Sequence, residues 1–257
     1  MDELRIEDRG GARWLILNRP ERRNALSRDL MRAVHGAVEQ AADEPAVRSL
    51  VLAGAGPSFC AGADLTEFRQ ADDPEVLHAD GERLARLLAA IARSPKPVIA
   101  RVHGAAVAGA VGLIAAADFA VAAEDARFSL SEVRIGLVPA VISPFLLRAL
   151  GRRAAQALML SGLTIDAGEA LRVGLVQTVV EPAALDAAVD QLTAALALAA
   201  PGALGEVKGL VERVAGLSFE EAREPTIAML AARRASAEGQ EGMRAFLEKR
   251  RPDWVVS

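Results

Sequence analysis

Two stretches of small residues are the part of this sequence best suited to chemistry at a carbonyl group. Residues 58–65 follow the apolar run 50–53, and residues 103–110 follow the run 97–102, which is apolar except for Arg101. Because no bulky side chain stands in the way, a ligand can approach the backbone closely at such places. The first turn of a helix also has N–H groups without intrahelical partners and a partial positive charge. Two such loops suggest two N–H donors for a carbonyl oxygen that gains negative charge, with tight helix packing as the alternative.

Cysteine and histidine chemistry is not favoured by the sequence. Cys60 lies beside Gly62, but none of the three histidines lies close in sequence to serve as its base. His35, His78 and His103 match no metal-ligand spacing, so no metal site is expected. A single cysteine excludes an internal disulfide and fits a reducing compartment, so a cytoplasmic location is expected.

Three motifs in a fixed order resemble the enoyl-CoA hydratase/isomerase (crotonase) superfamily. They are FCAGADL at 59–65, KPVIARVHGAAVAGAVGL at 96–113 and AADFAVAAEDARFSLSEVRIGLVP at 116–139. The likeness extends from about residue 18 to residues 246–250, and it is most similar to bacterial hydratases of the methylglutaconyl-CoA type. The resemblance implies an enzyme that hydrates an α,β-unsaturated acyl-CoA. Coenzyme A would be part of the substrate, and no separate cofactor is expected.

The resemblance also assigns the two N–H donors, which would belong to Ala63 and Gly109. The family usually has three successive glycines at the second loop, whereas this chain has Ala108-Gly109-Ala110. Glycine at 109 is expected to permit a backbone shape that a Cβ would hinder. The bulkier neighbours are expected to narrow the acyl site.

Family hydratases use two glutamates for acid–base work, and this chain matches only the second, at Glu132. Leu130, Val133 and Ile135 flank Glu132, so burial is expected to raise the pKa of its carboxyl group; an exposed turn residue is the alternative. The first glutamate's position is occupied by Gly112. Three alternatives stay open: Glu132 alone activates water, another carboxylate reaches the site, or the reaction is not hydration. In the last case the protein is a double-bond isomerase, or a CoA-thioester-binding protein with little catalysis.

Coenzyme A contacts are implied at three places by the resemblance. Arg22 and Arg23 would line the pantetheine and nucleotide. The backbone near adenine would come from Ala61, Asp64 and Leu65. A C-terminal pair, Phe246 and Lys249, would contact adenine and phosphate, often from an adjacent subunit. A solvated charged face is the alternative for the basic residues.

Composition narrows the class of protein. Apolar residues make up 52% of the chain but aromatic residues only 4%, with no tyrosine, so the core must consist of closely packed Ala, Leu and Val. The net charge of −4 is spread evenly, which argues against a nucleic-acid partner. No run resembles a signal peptide or a membrane span, so a soluble protein with no membrane partner is expected.

The pattern of elements predicts an α/β protein in stacked layers. Strands are expected at 12–17, 50–53, 98–102 and 176–180, and a helix is expected to begin after Ser27. A polar stretch at 66–80 is expected to precede a second helix, and Ser143 is expected to cap another. The chain is expected to be helical from Pro182 onward. The resemblance sharpens this to a crotonase-like spiral of ββα turns at 1–198 with a helical trimerisation region at 199–257, which implies a homotrimer or a dimer of trimers.

Overall fold

The computed structural model describes residues 2–68 and 73–255, in which nine strands form two sheets. The strands are β1 (Leu4–Arg9), β2 (Ala12–Leu17), β3 (Ser49–Gly54), β4 (Val98–Val102), β5 (Ala105–Val107), β6 (Phe119–Ala123), β7 (Arg127–Ser129), β8 (Thr164–Asp166) and β9 (Thr178–Val180). The α-helices are α1 (Arg28–Ala42), α2 (Leu65–Phe68), α3 (Pro74–Arg93), α4 (Gly109–Ala116), α5 (Ser143–Ser161), α6 (Ala167–Arg172), α7 (Leu185–Ala197), α8 (Pro201–Val214), α9 (Phe219–Ala235) and α10 (Ala237–Leu247).

The larger sheet is mostly parallel and has the order β1-β2-β3-β4-β6-β9. Only β1 and β2 pair antiparallel; the register from β2 to β9 is parallel throughout. Because the carboxyl ends of parallel strands meet at one edge, the loops after β3 and β4 come side by side there. Both small-residue loops of the sequence lie at this edge.

The smaller sheet, β5-β7-β8, is built from the same turns of chain. Strand β4 is followed by β5 and then α4, and strand β6 is followed by β7. Each of these two turns thus gives one strand to the large sheet and one to the small sheet. The α/β class and the expected spiral of ββα turns are confirmed.

Small side chains allow the core to be packed closely. Helix α4 has seven of its eight residues buried, and none is larger than leucine or isoleucine. It packs with α3 and α5 on one face of the large sheet. On the other face, Trp14, Val51 and Ile99 form a second cluster with Leu185 and Val189 of α7. The aromatic-poor composition therefore produces two apolar layers around the sheet.

Most local signals in the sequence correspond to the observed elements. The side chain of Ser27 accepts a hydrogen bond from the N–H of Leu30 and caps α1 as expected. The prediction that a polar stretch at 66–80 precedes the second helix is wrong in part, because α2 ends at Phe68 and α3 already begins at Pro74. Residues 69–72 lie outside the described part. Ser143 does not cap α5, since its hydroxyl donates to the carbonyl of Ala140 instead. Strand β1 was not predicted.

The C-terminal helices lie on the outside of this layered core. Neither α8 nor α9 contains a buried residue. The tail is fixed by Lys208, whose Nζ lies 2.7 Å from the carboxylate of Asp118, and by Arg48, which donates to the carbonyl of Trp254. Within the described residues no single helix is long and apolar enough to cross a membrane; the bent pair 182–197 and Pro201–Val214 meets that test only together. The domain boundary at 198/199 stays a prediction.

Candidate functional site

The two small-residue loops contact each other directly. The N–H of Cys60 donates to the carbonyl of Ala105, and the N–H of Val107 donates back to Cys60, as between parallel strands. The next residues are equally close, because a Cβ on Gly62 would lie 2.7 Å from the carbonyl oxygen of Val107. Gly62 also has a φ of +86°, which favours glycine. Glycine is therefore required where the first loop crosses the second.

Each loop contains a backbone N–H without an acceptor among the described residues, that of Ala63 in the first loop and that of Gly109 in the second. Leu26 forms hydrogen bonds with the residues on both sides of Ala63. Its N–H donates to the carbonyl of Gly62, and its carbonyl accepts from the N–H of Asp64. The N–H of Ala63 itself has no acceptor among the described residues. Gly109 is the first residue of α4, where an N–H has no intrahelical partner, and it too has none in the described part of the chain. The adjoining loops thus offer two donors suited to a carbonyl oxygen.

The unusual backbone lies one residue before the position expected from the sequence. Ala108 has φ 53° and ψ −118°, a conformation that residues with a Cβ rarely adopt. Gly109 is not in this region, and a Cβ there would meet only Leu26 at 3.5 Å and Leu84 at 3.8 Å, which are ordinary contacts. The expectation that position 109 needs glycine for its shape is therefore wrong. The strain is at Ala108, where the family usually has glycine.

Glu132 follows the strand that pairs with the second loop. The N–H of Ala108 donates to the carbonyl of Ser129, three residues before Glu132. Glu132 begins a short 3₁₀ turn, Glu132–Ile135. A hydrogen bond from the N–H of Leu137 to the carbonyl of Glu132 closes this turn. Its Oε2 is buried and has no hydrogen-bond partner among the described residues. Burial raises the pKa of Glu132, and the smaller opposing effect is a hydrogen bond from its own backbone N–H. A raised pKa suits a carboxyl group that must both take up and release a proton.

No carboxylate is present at position 112, and the space beside it is filled. A Cβ on Gly112 would lie 2.9 Å from the Cβ of Ile142 and closer still to its Cγ2. Leu88 of α3 lies next, at 3.6 Å. Ile142 is only 2% exposed. The surroundings of position 112 are therefore apolar and tightly packed.

Two residues that the sequence analysis did not single out hold the first loop in place. Asn24, fully buried with φ 56°, donates from its side chain to the carbonyls of Ala55 and Ser58. Arg19 binds the carboxylate of Asp64 at 2.9 Å. Burial, which raises the pKa of Asp64, is outweighed by hydrogen bonds from Thr66 and Arg19, so that pKa is lowered. The readable signal for Asn24 is an asparagine four residues after Pro20, because asparagine tolerates positive φ.

The residues expected to bind coenzyme A lie partly beside the donors. Arg22 and Arg23 are exposed, and the carbonyl of Arg23 accepts from the N–H of Ala61. Leu65 is 52% exposed at the start of α2. Asp64 is buried by its ion pair with Arg19, so its carboxylate supports the loop. The N–H of Ala61 is likewise engaged within the protein.

Phe246 and Lys249 belong to a tail that is anchored elsewhere. Phe246 is 83% exposed in the last turn of α10, and Lys249 lies two residues beyond the end of that helix. The tail contacts Arg48, at the amino end of β3, whereas Ala63 follows its carboxyl end. A six-residue strand spans about 17 Å. A contact of these two residues with coenzyme A therefore stays a prediction for a neighbouring subunit.

Neither a cysteine nucleophile nor a metal centre is supported. Cys60 is buried, and burial raises the pKa of its thiol to about 12, which leaves little thiolate. His103 lies between Arg101 and the carbonyl of Gly56 and supports the turn around residue 56. Within residues 2–68 and 73–255 no group of three metal-binding side chains occurs.

Comparison with known proteins gives matches along nearly the whole chain. Residues 9–256 match the family model described as enoyl-CoA hydratase/isomerase. The chain is 36% identical over 248 residues to a mevalonyl-coenzyme A hydratase of Aspergillus fumigatus, covering 95% of this chain and 91% of that protein. It is 30% identical over 249 residues to the trans-2-decenoyl-[acyl-carrier-protein] isomerase of Streptococcus mutans, covering 95% of each. The crystal structure of an enoyl-CoA hydratase from Shewanella pealeana superposes with a TM-score of 0.94 at 38% identity, covering 98% of this chain and 96% of that one.

Proposed function

Because this chain belongs to the enoyl-CoA hydratase/isomerase family, we propose that it moves the double bond of an enoyl thioester of coenzyme A with Glu132 as its one acid–base residue. The proposal rests on two observations: the Glu132 carboxyl has a buried Oε2 with no hydrogen-bond partner among the described residues, and position 112 holds a glycine in apolar, filled surroundings. One carboxyl group is enough to carry a proton from one carbon of the acyl group to another. Hydration must in addition hold and activate a water, and Ile142 and Leu88 beside Gly112 offer no polar partner for it.

The N–H groups of Ala63 and Gly109 are the proposed donors to the thioester oxygen. When a proton leaves C2 of a 3-enoyl thioester, the electron pair is delocalised onto this oxygen as a dienolate. Both hydrogen bonds strengthen as the negative charge develops, so they lower the barrier rather than merely bind the substrate. One donor of this kind contributes about 3 kcal/mol to the stability of the transition state.

Glu132 is the proposed carrier of the proton. As a carboxylate it removes the proton from C2, and the resulting acid returns that proton to C4, so the double bond moves from C3–C4 to C2–C3 and no atom is gained or lost. The raised pKa of Glu132 suits both halves of this transfer, since the group must be a base and then an acid at the same pH. Asp80 near the start of α3 is no substitute, because a hydrogen bond from Arg28 holds the pKa of its carboxyl below its usual range.

Hydration of an α,β-unsaturated acyl-CoA, the first expectation from the sequence, is the second candidate. It is favoured by the hydratase names of the Aspergillus and Shewanella proteins, whereas the Streptococcus protein is named an isomerase. A methylglutaconyl-type acyl group remains a proposed substrate of this second reaction. No cofactor is needed for either reaction, and coenzyme A enters as part of the substrate.

Product analysis in isotopic water separates the candidates. The purified protein is given 3-hexenoyl-CoA and, separately, crotonyl-CoA in H₂¹⁸O, and the products are examined by mass spectrometry. Isomerisation gives 2-hexenoyl-CoA without ¹⁸O, whereas hydration gives a 3-hydroxyacyl-CoA that carries ¹⁸O. Rapid ¹⁸O incorporation without isomerisation would replace the first candidate by the second. Binding of both thioesters without turnover would mean a binding protein and would overturn both.

A further inference from the structure

We propose that Ile142 is a specificity-determining residue, which keeps a second acid–base group and its water away from the double bond by filling the space beside Gly112. This inference rests on the proposed function. The absence of a carboxylate at position 112 goes together with the presence of isoleucine at position 142. Gly112 lies in α4 and Ile142 at the start of α5, and the two residues form a matched pair.

Ile142 leaves no room for a side chain at position 112. A side chain at 112 must begin with a Cβ 2.9 Å from the Cβ of Ile142, a separation that real Cβ atoms essentially never show. On the same side Leu88 of α3 lies at 3.6 Å, in ordinary contact. Position 112 therefore accepts a side chain only if Ile142 moves or is replaced.

Ile142 is held in place. Its carbonyl accepts hydrogen bonds from the N–H groups of both Phe145 and Leu146, which fixes its backbone at the start of α5. Its side chain is β-branched and therefore stiff about χ1, and it is 2% exposed. A rotation that clears position 112 is thus opposed by both packing and backbone.

The space beside position 112 is also unsuited to a bound water. A bound water needs two or more polar partners, and the atoms of Ile142 and Leu88 nearest to position 112 are all hydrocarbon. The segment that carries Ile142 also begins at Glu132, whose carbonyl is bound by Leu137 in the intervening turn. The same loop therefore supplies the acid–base carboxyl and the apolar group that excludes a second one.

The test is a set of four proteins: the unaltered chain, Gly112→Glu, Ile142→Ala and the double variant. Hydration is measured as ¹⁸O incorporation from H₂¹⁸O into crotonyl-CoA, and the matched control is Gly112→Ala with Ile142→Ala, which opens the same space without a carboxylate. We expect the double variant to hydrate at least about tenfold faster than either single variant and the control, since a placed acid–base group contributes 10²–10⁴-fold. Equal hydration by Gly112→Glu alone would overturn the proposal, as would a folded double variant no faster than the control.

A second measurement tests the pair without any reaction. The melting temperatures of the unaltered chain, Gly112→Ala, Ile142→Ala and Gly112→Ala with Ile142→Ala form a double-mutant cycle. Gly112→Ala should lower the melting temperature clearly beside isoleucine and much less beside alanine, which lacks the Cγ2 that lies nearest to a Cβ at position 112. Additive effects would show that the two positions do not compete for space and would overturn the proposal. Because this cycle uses no substrate, it can fail or succeed independently of whether the chain is an isomerase.

Discussion

The backbone N–H of Ala108 donates to the carbonyl oxygen of Ser129 at 2.8 Å. Ala108 directly precedes Gly109, whose free N–H begins α4, and Ser129 lies three residues before Glu132. One hydrogen bond therefore fixes the proposed oxygen-binding donor relative to the segment with the proposed acid–base carboxyl. It also explains why strained backbone persists at Ala108, because the β5–β7 pairing on one side and α4 on the other determine its position.

Replacing Ala108 by glycine should stabilise the protein. For a residue with a Cβ, the conformation at φ 53° and ψ −118° costs about 1–3 kcal/mol. Glycine avoids this strain, but its greater conformational freedom in the unfolded chain lowers the stability of the folded state by about 0.5–1 kcal/mol. The expected gain in the free energy of unfolding is about 1 kcal/mol, measured by urea denaturation. Ala106→Gly, in the neighbouring strand β5, is the control and should destabilise. A loss of stability in Ala108→Gly comparable to that control would contradict this account of strain.

Replacing Gly109 by proline should remove turnover while leaving the helix in place. Proline is tolerated at the first helical position but has no N–H, so one of the two proposed donors disappears. We expect kcat to fall by about 10²–10³-fold. Gly109→Ala keeps the N–H and its Cβ has room, so it should retain most activity. Comparable losses in both variants, with circular dichroism unchanged, would show that the N–H is not used.

Glu132→Gln should make the protein more stable at neutral pH. Burial raises the pKa of Glu132, so between its unfolded pKa of about 4.3 and the raised folded value the native state binds more protons than the unfolded state. The free energy of unfolding therefore falls as pH rises through this window. Glutamine does not ionise, so the variant does not bear the cost of a buried negative charge. Melting temperatures of both proteins from pH 4 to pH 8 check this, with Glu124→Gln, an exposed position, as the control. If the difference did not shrink toward low pH, the buried charge would not be its cause.

The chain should assemble as a trimer or as two trimers. Helices α8 and α9 bury no residue within the chain, while Phe219 and Leu247 are each 79% exposed. So much apolar surface on one set of helices indicates a partner, and the number three follows from the family resemblance. Light scattering should give three or six chain masses, and Leu247→Glu should lower that mass. A monomer at micromolar concentration would rule the assembly out.

Local patterns in the sequence predicted the stacked α/β layers and both small-residue loops, whereas the spiral of ββα turns followed from the family resemblance. Alternating apolar runs specify strands, and glycine or alanine runs after strands specify close backbone approach, so 58–65 and 103–110 could be read directly. The cap at Ser27 was equally local. Ser143 was misread because its hydroxyl has a competing acceptor, the carbonyl of Ala140, which only the folded turn brings within reach.

Long-range contacts could not be read in this way. Ile142 is 30 residues from Gly112 in the numbering, and nothing in either local sequence indicates that they touch. The same holds for Asn24, which binds carbonyls more than thirty residues away. The conformation of Ala108 depends on the pairing of β5 with β7, so the sequence placed the special backbone at the glycine beside it.

The most direct test of the account is the rate of 3-hexenoyl-CoA isomerisation by Glu132→Gln. Glutamine keeps the size and hydrogen-bonding capacity of the side chain but cannot carry a proton between C2 and C4. We expect kcat to fall roughly a hundredfold or more, with the dissociation constant of the thioester changed little because Ala63 and Gly109 still bind its oxygen. Full activity in this variant would contradict the account, because the proton would then be carried by a group other than Glu132.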